Sequence, residues 1–297
     1  MKLFGWIPLL AVTTLPSSWA LSLQRGESGG RLANMSLERA LLHQNTNKTS
    51  NCPLPPGMSK ARTNAGFDMV ILSGGNDIVS DNIRAHGFWD IHSPPELVSA
   101  TGYALPSTTA GVFLDIGGNI GYFSLLFANA GYDVISVEPM PINLKAFEAS
   151  LCLNPHLRER IKVVPVALVN PRQISMKCVI KSTNSDSNIG NGFLTCGSPD
   201  QVGACSRAAG CEEVPVKTLD SVLDEAGPAA VGAVKMDIEN YECNVLAGGQ
   251  SLFTRFHPQF VRAETAYSGR ECFEKAARDH GYRVFPQGAE TTLVANS

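Results

Sequence analysis

The stretch Val112-Phe-Leu-Asp-Ile-Gly-Gly-Asn-Ile-Gly-Tyr122 decides the fold of this chain. Its first residues are aromatic, aliphatic or β-branched, as in a strand buried on both faces of a parallel sheet. Asp115 falls at the carboxyl end of that strand, Gly117 and Gly118 make a tight turn, and a helix is expected to start near Asn119. A turn of this kind is expected to present bare backbone N–H groups and a helix N-terminus to a polar or negative ligand group. About 20 residues on, at the spacing of nucleoside-binding βαβ units, a second apolar run, Asp133-Val-Ile-Ser-Val137, ends in Glu138. A carboxylate there can bridge two ribose hydroxyls. Strand, acid, glycine turn, helix, strand, acid describes a nucleoside site on an α/β sheet.

The glycines say which nucleoside. A dinucleotide site wants G-x-G-x-x-G. Counted from Gly117, the second and third glycine positions hold Asn119 and Tyr122, so the pattern fails twice. What stands instead is Asp-x-Gly-x-Asn-x-Gly, from Asp115 to Gly121. An acid two residues ahead of the first glycine suits a cationic ligand end, such as the ammonium of a methionine moiety, better than a pyrophosphate. Asn119 is tolerated because Asn adopts left-handed backbone angles at little cost. S-adenosylmethionine (SAM) therefore fits better than NAD. The bland alternative is a Rossmann-like scaffold with an empty site.

Outward from this unit the rhythm continues. A strand is expected over 68–72, a short helix from Asp81 ending at Gly87, a helix over 142–153 stopped by Asn154-Pro155, and a strand over 161–166. Residues 171–216 break the rhythm. They are expected to form an antiparallel excursion, with 174–180 an exposed strand. Then follow a helix over 219–226, a strand over 233–237, a helix interrupted by Gly248 and Gly249, a strand over 259–263, a helix over 272–280 and a closing hairpin. Alternating strands and helices imply a parallel sheet with right-handed crossovers. Ligands of such sheets sit beyond the carboxyl ends of the strands, where Asp115, Glu138, Asp237 and Glu264 all fall. Four acids on one rim are hard to explain as packing.

The ends and the composition bound the setting. Residues 1–20 carry one Lys, a short apolar core and a Ser18-Trp-Ala20 exit, the pattern of a secretory signal peptide, with an uncleaved signal anchor as the alternative. Residues 21–60 are polar and read as a flexible stem, with a short helix over 37–43. Asn34 and Asn47 stand in glycosylation sequons. All eight cysteines follow residue 50 and none forms C-x-x-C, which favours disulfides over zinc. Proximity pairs Cys178 with Cys196 and Cys205 with Cys211. At 44% hydrophobic and 17% charged, residues 61–297 are expected to form one domain. A net charge of −3 without basic runs argues against nucleic acid, and against a membrane beyond the signal.

At this point the chain resembles the FkbM family of SAM-dependent methyltransferases. The resemblance runs from about Asp77 to Val294. Its carriers are Asp77-Ile-Val-Ser-Asp-Asn-Ile with Gly87-Phe-Trp-Asp90, the 114–122 turn, Val137-Glu-Pro139, Val166-Ala-Leu168, Thr218-Leu-Asp-Ser-Val222, and Val234-Lys-Met-Asp-Ile-Glu-Asn-Tyr-Glu242 with Val245-Leu-Ala-Gly248. It implies the class I methyltransferase fold, an α/β architecture with a mostly parallel seven-stranded sheet, one antiparallel strand, and helices on both faces. It also implies methyl transfer from SAM, usually to a hydroxyl oxygen of a sugar or secondary metabolite. Carried over, Asp115, Gly117 and Gly121 line the methionine part of the cofactor, with Gly118 and Asn119 in the same turn, and Glu138 holds the ribose. The family commonly has Gly where this chain has Asn240.

A protonated hydroxyl is a weak nucleophile, so a base is expected within reach. The candidates, in order, are Asp237, Glu239 and Glu264. The alternative role for Asp237 is a cap on the next helix, and for Glu239 and Glu242 that of surface charges or partners of Lys235 or Arg262. A divalent cation held by Asp237 and Glu239 lacks an evident third ligand, so no metal is assigned. His86 suits a helix C-terminus better than a base, and Phe88 and Trp89 suit core packing. The competing class of function is a secreted binding protein that keeps the fold without the chemistry.

Overall fold

The computed structural model describes residues 52–182, 188–203, 205, 210–266 and 269–296. The expected signal peptide, both sequons and the 37–43 helix lie outside them. An antiparallel pair opens the fold, β1 (Met58–Arg62) against β2 (Asp68–Leu72). Helix α1 (Ile78–His86) starts three residues earlier than expected, because Asp77 caps it by accepting from the Ser80 N–H at 2.9 Å. Gly87, in the left-handed conformation, ends it.

The central unit is β3 (Val112–Ile116), α2 (Tyr122–Asn129), β4 (Val134–Val137), α3 (Pro141–Leu153) and β5 (Ile161–Val164). Short β6 (Ala167–Leu168) leads to the excursion β7 (Lys177–Lys181), β8 (Phe193–Gly197) and β9 (Cys211–Glu213), and β10 (Val216–Lys217) returns alongside β6. Then come α4 (Leu219–Ala226), β11 (Val231–Met236), α5 (Glu242–Ala247), a π-helical turn (Leu252–Phe256), β12 (Phe260–Glu264), α6 (Glu271–His280), β13 (Tyr282–Gln287) and β14 (Glu290–Ala295). The main sheet has seven strands in the order β13-β14-β12-β11-β3-β4-β5, with β14 antiparallel to both neighbours. This is the expected class I methyltransferase architecture.

Side chains alternate across the sheet with period two. Phe113, Val134, Ala233 and Phe260 join one core with Phe123, Phe127 and Phe147 of α2 and α3. Leu114, Ile135, Val234 and Val261 join the other, with Leu219 and Leu223 of α4, Val245 of α5 and Phe273 of α6. Helices thus cover both faces. Phe113 and Phe127 stack at 3.5 Å between centroids, and burying each such ring contributes about 1.5–3 kcal/mol.

Three local expectations change. The helix after the glycine turn begins at Tyr122, not near Asn119, because residues 117–121 spend themselves on the turn. The strand expected to be exposed over 174–180 is β7, and its Cys178, Val179 and Ile180 are buried. It is the middle strand of a three-stranded sheet, β8-β7-β9, so both neighbours and a small core with Met140 and Ala167 enclose it. Residues 52–60, at the end of the stretch read as a stem, belong to the fold: Cys52 is bridged to Cys152, and β1 pairs with β2. Their polar composition hid an edge strand.

All eight cysteines pair, as Cys52–Cys152, Cys178–Cys196, Cys205–Cys211 and Cys243–Cys272. The two pairs expected from proximity both occur. Four disulfides are consistent with an extracellular or lumenal protein. Among the described residues no helix is long and apolar enough to cross a membrane.

Candidate functional site

A cavity opens beyond the carboxyl ends of β3, β4 and β11, lined among others by Gly117, Gly118, Asn119, Glu138, Lys235, Asp237 and Glu239. The turn after β3 does not present bare N–H groups, contrary to expectation. Gly117 and Gly118 both donate to the Val137 carbonyl, at 2.9 and 3.0 Å, and Gly121 donates to the Gly118 carbonyl at 2.8 Å. The Asn119 N–H goes to Glu138 Oε2 at 2.8 Å, and that of Ile120 to Asn119 Oδ1 at 2.7 Å. The turn is tied to β4 and offers no phosphate cradle.

Its glycines answer to packing. Gly117 has φ +82°, and a Cβ there would lie 1.9 Å from the Asp237 carbonyl oxygen. A Cβ at Gly118 would meet Ser136 Oγ at 2.2 Å, and one at Gly121 the Phe147 ring at 2.3 Å. Asn119 adopts φ +50°. Asp115 and Gly121 are not in the cavity lining. Asp115 is fully buried, and its Oδ2 accepts from Ser124 Oγ at 2.6 Å, while Oδ1 has no partner among the described residues. Burial raises its pKa, against the pull of Lys235 and Ser124.

Glu138 does line the cavity and is only 4% exposed. Besides the Asn119 N–H, it accepts from the Met140 N–H at 2.8 Å and Asn143 Nδ2 at 3.2 Å. Burial pushes its pKa up to about 7, although these three donors oppose the shift.

The acids of the other two strands gather on the opposite side. Asp237, Glu239 and Glu264 bring carboxylate oxygens within 4.8 Å of one another. Glu264 is the third potential cation ligand that sequence spacing did not reveal. Lys235 lies beneath them, largely buried, 3.3 Å from Asp237 Oδ2, 3.3 Å from the Gly117 carbonyl and 4.9 Å from the centre of the Phe123 ring. Burial would lower its pKa, but the charges of Asp237 and Asp115 prevail and raise it. Burial and the nearby Asp237 raise Glu239, and burial with repulsion from Asp237 and Glu239 pushes Glu264 up to about 8. Glu264, within hydrogen-bond reach of Asp237, therefore favours its protonated form more than a free glutamate does.

Competing roles resolve on geometry. Asp237 caps no helix, since the residue ahead of α5 is Tyr241. Arg262 pairs with Glu290 and Asp90, and Glu242 is buried, accepting the Ile238 N–H at 3.0 Å. His86 is exposed at the end of α1, outside the cavity lining. Phe88 packs against the core, whereas Trp89 packs there and lines the cavity.

The matching family model is the methyltransferase FkbM domain, over residues 115–284, more than half of the chain. This chain belongs to the FkbM methyltransferase family. SAM is accordingly the cofactor of this FkbM domain. No curated protein matches the sequence. Among solved structures the domain is similar to the METTL16 methyltransferase domain, at 13% identity over 80% of this chain and 87% of that one, with TM-score 0.41. It is similar to precorrin-6y C5,15-methyltransferase from Geobacter metallireducens, at 11% identity over 68% and 86%, with TM-score 0.37. It is also similar to Pyrococcus abyssi tRNA (uracil-54, C5)-methyltransferase bound to S-adenosyl-L-homocysteine, at 12% identity over 80% and 43%, with TM-score 0.39. Such distant likenesses say nothing of this domain's acceptor.

The residues present fit SAM. The FkbM domain offers a cavity-lining carboxylate in Glu138, a turn with no free donors for a diphosphate, and buried amide oxygens that call for donors, Asn143 Oδ1 among them. Sequence reasoning named Lys235 only as a possible partner of Glu239 or Glu242, not of Asp237, and missed Asn143 and the 188–194 segment of the lining. For Lys235 a signal existed, a charge inside an otherwise apolar strand. For Asn143 the signal was its place in the first turn of α3, five residues after Glu138.

Proposed function

We propose that this FkbM domain transfers the methyl group of SAM to a hydroxyl oxygen of a small-molecule or glycan acceptor, a sugar or secondary metabolite, with Asp237 as the base. SAM supplies a methyl group already activated on a sulfonium, so the protein's work is alignment, water exclusion and removal of one proton. Glu138 holds the ribose hydroxyls, and the turn at 117–119, with Asp115 and Gly121 fixing its shape, bounds the methionine end. Asp237 stands at the cavity edge with its side chain 40% exposed, paired to Lys235. An acceptor hydroxyl there hydrogen-bonds the Asp237 carboxylate and gives up its proton as the new C–O bond forms. Glu239 and Glu264 surround that carboxylate and make the cluster a proton store.

The observation that carries this reading is the cluster itself: Asp237, Glu239 and the buried Lys235 line the same cavity as the buried Glu138, and Glu264 stands against the two carboxylates behind that lining. The test is methyl transfer from labelled SAM into cell extract, with calorimetry of S-adenosylhomocysteine (SAH) in parallel. Wild type labels a hydroxyl-bearing product, and Asp237→Asn binds SAH without labelling it. A product methylated on nitrogen or carbon overturns the acceptor class. Absence of SAH binding leaves the secreted binding protein. The disulfides and the signal-like 1–20 segment support passage through a secretory pathway, checked by the amino-terminal sequence of the protein recovered from medium or lumen.

A further inference from the structure

The insertion between β6 and β10 returns to the rim of the main sheet. Residues 188–194 of this insertion supply Asn188, Gly190, Asn191, Gly192 and Leu194 to the cavity lining. One peptide is gripped from both sides. The Gly190 N–H donates to Asp77 Oδ1 at 3.1 Å, and its carbonyl accepts from Asn119 Nδ2 at 3.0 Å and Asn143 Nδ2 at 2.8 Å. The Ile189 N–H donates to the Asn76 carbonyl at 2.9 Å. Asn119 and Asn143 are the same residues that hold Glu138. Wall and ribose carboxylate are therefore one hydrogen-bonded unit.

Two further observations make this a ligand-facing unit. The Oδ1 atoms of Asn143, Asn188 and Asn191 are buried without a partner among the described residues, and Asn143 is only 1% exposed. Each such oxygen carries an uncompensated desolvation cost until a donor reaches it. Adenosine brings donors, two ribose hydroxyls and an exocyclic amine. The second observation is the glycine itself: a Cβ at Gly190 would fall 2.6 Å from Asp77 Oδ1 and 3.1 Å from Asn143 Oδ1. The grip has no room for a side chain.

We propose that residues 188–194 are a binding wall of the cofactor site, latched by the Gly190 peptide, and that the latch sets how long the nucleoside stays bound. The disulfides Cys178–Cys196 and Cys205–Cys211 brace the sheet that carries the wall. The proposal rests on the SAM reading of the site and adds to it a part that the β3–β4 unit does not contain.

The experiment uses the disulfide-intact full chain and SAH as probe. In wild type, SAH slows hydrogen exchange of the 188–194 amides. Gly190→Ala loosens SAH about tenfold, chiefly through faster dissociation, as expected for losing one or two hydrogen bonds. Unchanged exchange at 188–194 in SAH-saturated wild type overturns the proposal and leaves the cofactor reading standing; so does equal dissociation from the two proteins. Wild type that binds no SAH overturns the cofactor reading and the wall with it. Should Gly190→Ala not fold, the exchange result on wild type decides alone.

Discussion

Two loops leave neighbouring strands at the same level of the sheet, where Asp115 of β3 pairs in register with Lys235 of β11, and they solve the same backbone problem differently. Residues 117–121 meet it with glycine, at φ +82° for Gly117 and +93° for Gly121, with Asn119 between them. Residues 237–241 hold left-handed angles without any glycine, +51° at Glu239 and +76° at Asn240. Left-handed angles cost a non-glycine residue about 1–2 kcal/mol, less for Asn. The first loop is small because another backbone runs against it, the Asp237 carbonyl itself. The second keeps its side chains despite the strain, because it carries two acids to the rim. Glycine marks close approach, and strain marks chemistry.

The comparison breaks hardest at Gly117. Gly117→Ala combines a forbidden φ with a 1.9 Å approach to the Asp237 oxygen, and is expected to lose roughly 3 kcal/mol or more of stability. Urea unfolding measures it; a loss under about 0.5 kcal/mol, the range of neutral surface changes, would mean the loop is free to move and the contrast is false. Asp237→Asn sharpens the other side. Turnover should drop about 10²-fold or more, the usual contribution of a base, while SAH affinity stays nearly constant. A larger change in affinity than in rate removes Asp237 from the chemistry.

Glu138 links the first loop to pH. Its pKa of about 7 stands above the ordinary 4.5, so the native apo protein keeps a proton that the unfolded chain releases. Native protein binds more protons, and stability therefore falls as pH rises from about 4.5 to 7, by at most about 3 kcal/mol. Ribose donors favour the ionised form, so SAH should bind more tightly from pH 6 to 8 and expel a proton. Glu138→Gln should weaken SAH binding about 10- to 100-fold at pH 8, the worth of a hydrogen bond to a charge. It should also flatten both pH profiles. Calorimetry in buffers of different ionisation enthalpy reads the proton, and equal apparent enthalpies in all of them contradict the assignment. The smallest effect is Asn240→Gly, which relieves φ +76° and should stabilise by about 0.5–1 kcal/mol. A destabilised variant shows that the Asn240 side chain, and not the angle, is what the loop needs.

Much of this was legible from residues alone. Strand ends at Asp115, Glu138, Asp237 and Glu264 follow from apolar runs that stop at an acid, and the two short disulfides follow from proximity. The misread parts share one cause. Strand β7 looked exposed because its neighbours, β8 and β9, come after it and cover it. The free donors expected of the glycine turn are consumed by Val137, a partner 20 residues away in the chain and next door in the sheet.

Periodicity, glycines and acids are local quantities, and from them the sequence by itself determined the parallel sheet, the acids at its strand ends and the failure of a dinucleotide pattern. Only the tertiary structure decided which groups face one another. It set Lys235 beneath three carboxylates, gave Asp237 and Glu239 their third neighbour in Glu264, and folded the Gly190 peptide onto Asn119 and Asn143. Those meetings depend on strand register and on chain returning over gaps of tens of residues, and no local pattern encodes such distances.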